Sequence, residues 1–84
     1  MTIDDIRETI DAYASDARIC EEIGFDGVEI HGAHGYLIDN FFWNGTNIRN
    51  DDYGGSIKNR SRLAAEIIKA IRSKVSSKFI VGLR

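Results

Sequence analysis

The sequence predicts an α/β fold with parallel strands, and three observations lead there. Two amphipathic helical stretches are each followed by a short apolar segment, the order reads helix, strand, helix, strand, and the span between the two segments is long enough for a crossover. A strand–helix–strand unit of this kind closes as a right-handed crossover with its strands paired in parallel.

The first helix is expected over Thr2 to Ile23. Ile3, Ile6, Ile10, Tyr13, Ala14, Ala17 and Ile23 recur at helical spacing, with Asp4, Asp5, Glu8, Asp11, Asp16 and Glu22 between them. Thr2 with Asp5 three residues on resembles a capping box, and the early acids suit the positive end of the helix dipole. Gly24 is placed to end the helix in a left-handed turn. Next, "FDGVEIH" is too short for another helix and reads as a strand, with Val28 and Ile30 on one face and Gly27, Glu29 and His31 on the other.

Gly32 to Gly55 holds five of the eight glycines and shows no sustained period, so it is a long connection with one helical turn around Tyr36 to Phe42. A loop of this length in a compact domain is usually functional. Ser56 then caps a second helix, whose buried stripe is Ile57, Leu63, Ala64, Ile67, Ile68, Ile71 and Val75, and whose last turns are rich in Lys and Arg. "KFIVGLR" gives the second strand, with Phe79, Val81 and Leu83 on one face and Ile80, Gly82 and Arg84 on the other. The faces Val28/Ile30 and Val81/Leu83 turn toward the helices. Glu29, His31 and Arg84 then share the opposite face, where burial without partners would cost several kcal/mol each. They must be paired, solvated or turned to a ligand.

With 84 residues, a net charge of −2 and a pI near 5.6, the chain lacks the basic excess that nucleic acid or an anionic membrane surface would require. No apolar run approaches the roughly 18 residues of a membrane span, and the acidic "MTIDDIRETID" has no signal-peptide core. A soluble, cytoplasmic protein is expected. The single cysteine, Cys20, excludes a disulfide framework and a CxxC pair, and reads as a small buried or half-buried residue.

His31 and His34 follow the first strand, at the carboxyl end where parallel α/β proteins build their sites. An HxxH pair could ligate zinc, but a third ligand is needed and neither HExxH nor a nearby cysteine is present. Alternatively, two imidazole N–H groups converge on one carbonyl oxygen while Tyr36 supplies a proton. "GFDG" and "HGAHG" form neither a dinucleotide-binding nor a P-loop fingerprint. "YGGS" is read as a tight turn and cap rather than an anion site. Phe41, Phe42, Trp43 and Tyr53 are either core or pocket wall.

The run "GFDGVEIHGAHGYLIDNFFWNGTNIRNDDYGGSIKNRSRLAAEIIKAIR", followed by "FIVGLR", resembles the Old Yellow Enzyme family of FMN-dependent NAD(P)H:flavin oxidoreductases, the ene-reductases. The resemblance covers nearly the whole chain. It implies a (β/α)8 TIM barrel with FMN at the carboxyl ends of the strands, of which residues 1–84 would be the stretch from the third helix through the fifth strand. It implies that His31 and His34 hydrogen-bond the carbonyl oxygen of an activated alkene, with His31 also at the flavin's edge. It makes Tyr36 the proton donor to the substrate carbon, and Arg84 the cation facing flavin N1/O2, with NAD(P)H as reductant and a small α,β-unsaturated carbonyl as substrate. Asn59 and Arg60 match an "NR" pair expected to tie the helix start to the loop, and Arg49 and Asp52 fall in an "R-x-D-x-Y-G-G" loop expected to be structural. Asn50, Asp52 and Lys58 depart from the common threonine, glutamate and glutamate at surface-type positions.

A barrel of this type needs about 250 residues. The chain is therefore expected to be a partial barrel, 1–84 of a single flavin-binding domain, inactive alone and completed either by the remainder of its barrel or by self-association. The alternative is a non-catalytic truncated or engineered fragment.

Overall fold

The computed structural model describes all 84 residues. In chain order the elements are α1 (Ile3–Glu22), β1 (Gly27–Ile30), α2 (Leu37–Phe42), α3 (Ile57–Arg60), α4 (Arg62–Lys74) and β2 (Ile80–Leu83).

The start of α1 is set by reciprocal bonds: Asp5 N–H donates to Thr2 Oγ1 (3.1 Å) and Thr2 N–H donates to the Asp5 carboxylate (2.9 Å). This is the capping box that "TIDD" encodes. These bonds hold the Asp5 carboxyl below its ordinary pKa. At the other end Gly24 adopts φ 103°, the left-handed turn that only glycine enters without strain. Ile23, counted with the apolar stripe, is instead exposed at this turn.

β1 and β2 pair in parallel, Gly27 with Ile80, Val28 with Val81, Glu29 with Gly82 and Ile30 with Leu83. The ladder runs one step further, because Arg84 N–H donates to the Ile30 carbonyl (2.9 Å) and Gly32 N–H to the Arg84 carbonyl (2.8 Å). Glycine is required at one point of close approach, and at another there is little room for a side chain. A Cβ on Gly27 would fall 2.5 Å from the Ile80 carbonyl oxygen, and one on Gly32 would meet Arg84 O and Leu83 Cδ1 at 3.1 Å.

α1 and α4 pack together on one side of this two-stranded sheet. Ile6, Ile30, Ile38, Leu63, Ile67 and Ile71 form the centre of the core, and Val28 and Val81 pack against it from the strands. Burying side chains of this size is worth about 1.5–3 kcal/mol each. The opposite face of the sheet is open.

The second helix differs from its sequence reading. It is broken at Ser61, whose hydroxyl donates to the Lys58 carbonyl (3.1 Å) and whose ψ of −4° departs from the α-helical value. Such a side-chain bond competes with the helical ladder. Ile57, placed in the buried stripe, therefore lies on α3 and is 76% exposed. Leu83, expected under the helices, is 46% exposed, while Phe79 is buried just ahead of β2. Phe41 and Tyr53 belong to the core, Phe42 packs against it, and Trp43 is exposed. Cys20 is half-buried with a free thiol. No helix is long and apolar enough to cross a membrane.

Candidate active site at the carboxyl rim

β1 ends at Ile30 and passes straight into His31, so the strand's alternation aims His31 to the open face with Glu29. The chain then turns sharply. His34 takes φ 60° and Gly35 φ 75°, two successive left-handed residues, before α2 begins at Leu37. The turn folds His34 back over His31, with ring centroids 5.4 Å apart and planes 24° from parallel. Tyr36 also returns to His31, centroid to centroid 5.3 Å at 52°.

Arg84 arrives from β2. Glu29 faces Gly82 across the ladder, so His31 faces Arg84 one step on, and neighbouring strands lie about 4.8 Å apart. The structure thus brings all four expected site residues to one rim. His31, His34, Tyr36 and Arg84 are all exposed, Tyr36 to 65%, and none of their side chains is hydrogen-bonded within the chain. No third imidazole, thiol or carboxylate joins the two histidines in a metal-binding group.

The open face is sparsely covered beside Arg84. Gly82 lies directly beside Glu29, one step from the rim on that face, and a Cβ there would find nothing nearer than 3.9 Å. Its own chain's packing does not demand glycine. The missing side chain leaves the face flat beside the guanidinium, which has no carboxylate partner within the chain.

The long connection is held by a polar frame that the sequence only partly revealed. Asn47 is buried, and its amide donates to the Phe41 and Tyr53 carbonyls (both 2.8 Å) while its oxygen accepts from Arg49 N–H (3.0 Å). Arg49 forks onto Asp51, Nε to Oδ1 at 3.1 Å and Nη2 to Oδ2 at 2.6 Å. The acid of this loop is therefore Asp51. Asp52, named beside Arg49 from sequence, contributes only its backbone carbonyl, which accepts from Arg62 Nε (2.8 Å). The Arg49 guanidinium holds the Asp51 carboxyl below its ordinary pKa.

The "NR" pair does tie helix to loop, with Asn59 donating to the Gly54 carbonyl (3.0 Å) and Arg60 to the carbonyls of Phe42 (2.9 Å) and Gly55 (2.6 Å). "YGGS" is a turn and cap: a Cβ on Gly54 would strike the Arg49 backbone, Gly55 has φ 95°, and Ser56 Oγ accepts from Asn59 N–H. Asn50, Asp52 and Lys58 are exposed, as surface-type departures should be.

Tyr53 completes the frame by donating to Glu66 Oε2 (2.6 Å). Burial first, and the bond to Glu66 second, push its hydroxyl from 10.0 up to about 12. A proton held more tightly in the folded state stabilises it fully below pH 10, and this contribution is lost as pH rises through 12. The unfolding free energy of wild type minus that of Tyr53→Phe is therefore expected to shrink between pH 10 and 12. A difference that stays constant over that window refutes the assignment.

Taken together, the fold and the rim define a class: a parallel α/β segment that gathers imidazole, phenol and guanidinium side chains at the carboxyl ends of its strands. The chain belongs to the NADH:flavin oxidoreductase / NADH oxidase family, which matches residues 1–84. It is 49% identical over 84 residues to the flavin oxidoreductase hxnT of Emericella nidulans, covering all of this chain and 21% of that protein. It is 49% identical over 81 residues to 12-oxophytodienoate reductase 1 of Oryza sativa subsp. japonica (96% of this chain, 21% of the relative), and 56% identical over 72 residues to the NADPH dehydrogenase of a Geobacillus species (86% and 21%). Among solved structures, 2-naphthoyl-CoA reductase in complex with 2-naphthoyl-CoA superposes with a TM-score of 0.97 at 40% identity, over all of this chain and 13% of that one. The chain spans about a fifth of the length of the curated relatives it matches. Its fold is accordingly part of a (β/α)8 barrel, and its family uses FMN with NAD(P)H as reductant.

Proposed function

We propose that these residues form one sector of the active site of a full-length FMN-dependent ene-reductase that reduces the activated C=C bond of a small α,β-unsaturated carbonyl. The observation that carries this reading is the convergence of His31, His34 and Tyr36, at 5.3–5.4 Å, on a rim that Arg84 shares in register. The remaining strands of the same barrel cover the open face and hold most of the flavin.

FMN, once reduced by NAD(P)H, supplies the hydride to the β-carbon. His31 and His34 donate hydrogen bonds to the substrate's carbonyl oxygen, drawing electron density from the conjugated bond and stabilising the negative charge that grows there. Tyr36 delivers the proton to the α-carbon from its hydroxyl. With the flavin bound, Arg84 would set its positive charge beside the ring and His31 would border it.

Phenols test the imidazole pair, because a phenolate oxygen takes the place of the carbonyl and stacking on the flavin gives a charge-transfer band. His31→Ala in the flavin-loaded full-length protein is expected to weaken phenol binding by about 10- to 100-fold, the worth of one hydrogen bond to an anion. Unchanged affinity at normal flavin content would remove the imidazole from the site.

A further inference from the structure

We infer that Asp39 is a positioning residue for the rim, holding His34 and Tyr36 in place through the Gly35 N–H; the inference rests on the reading of that rim given above. Between β1 and α2 the chain has six residues in which to reverse, and it does so by placing His34 and Gly35 in the left-handed region. Glycine enters that region freely, whereas a histidine there is strained by its Cβ. With His34 relaxed to an extended or helical backbone, its ring would leave the stack on His31, and Tyr36 would be carried off with the altered chain direction.

Something must offset that strain. The backbone bond across the turn is long, Tyr36 N–H to the Ala33 carbonyl at 3.4 Å. The short one is made by a side chain: Gly35 N–H donates to Asp39 Oδ2 at 2.9 Å. An N–H donating to a carboxylate is among the stronger neutral-donor bonds. Asp39 is itself held firmly, because it lies in the first turn of α2 between core residues: Ile38 is fully buried and Phe41 nearly so. The core thus fixes α2, α2 fixes the carboxylate, and the carboxylate fixes the amide that separates His34 from Tyr36.

The test uses the flavin-loaded full-length protein. Asp39→Ala is expected to weaken phenol binding about tenfold and to lower kcat for an enone about tenfold as well, since one bond of this kind corresponds to about that factor. Flavin content, and turnover with ferricyanide, which needs neither carbonyl binding nor carbon protonation, stay at the wild-type level. Asp39→Asn, which keeps an acceptor oxygen, is expected to remain within about threefold of wild type, because the bond itself survives. Asp39→Ala matching wild type in phenol affinity and enone kcat, while His31→Ala is impaired, overturns the inference and leaves the rim's role intact. An unimpaired His31→Ala instead overturns the rim reading. Should Asp39→Ala give no flavin-loaded protein, Asp39→Glu decides: it keeps the charge but carries it a methylene too far, so weakened phenol binding supports the inference and wild-type binding overturns it.

Discussion

Replacing Tyr36 by phenylalanine in the full-length protein is expected to slow the reoxidation of the reduced enzyme by an enone about 10²- to 10⁴-fold, the usual worth of a positioned general acid. The substitution removes one oxygen and leaves the ring that packs 5.3 Å from His31, so the geometry of the rim survives. Phenol binding should stay within about threefold of wild type, because the imidazoles rather than the phenol hold the ligand oxygen. Ferricyanide should reoxidise the variant at the wild-type rate, since it accepts electrons without a proton at carbon. Rapid mixing of reduced protein with each acceptor separates these outcomes. An enone rate within about threefold of wild type assigns the proton to another donor.

The second large effect is on stability. Asn47→Ala is expected to cost about 3 kcal/mol, because it leaves two carbonyls and one N–H without their partner in a buried setting, at about 1–3 kcal/mol for each unmet group less what water recovers. The residue joins the end of α2 at Phe41, the Arg49–Asp51 fork and the Tyr53 turn through one amide. Its neighbour supplies the control. Thr46 donates to the Asn40 and Trp43 carbonyls at an exposed position, so Thr46→Ala should cost less than about 1 kcal/mol. Urea unfolding of the flavin-free full-length protein measures both. A cost below about 1 kcal/mol for Asn47→Ala would mean that the loop does not depend on this amide.

These two residues mark opposite ends of what could be read in advance. Tyr36 stood out because a histidine pair and a tyrosine follow a short strand, and strand alternation alone aims His31 to the open face. The sense of α1, its capping box, the parallel pairing and the shared face of Glu29, His31 and Arg84 were legible for the same reason. Each depends on residues within a turn of one another or on a period of two or 3.6.

Asn47 gave no such signal, since a lone asparagine in "GTNIR" looks like any loop residue until Phe41 and Tyr53 close around it. Asp51, not Asp52, is the D of "R-x-D-x-Y-G-G" counted from Arg49, and the fork of Arg49 onto its carboxylate shows why that spacing matters. Ile57 looked like core until the helix broke at Ser61 and left it exposed on α3, and Tyr53 and Glu66, thirteen residues apart, meet only once α4 packs beside the loop. Local periodicity and capping therefore determined the elements, their order and the side of the sheet on which the chemistry stands. The tertiary structure alone decided which polar groups are buried together, because that pairing depends on how separate segments meet in space and not on the spacing within any of them.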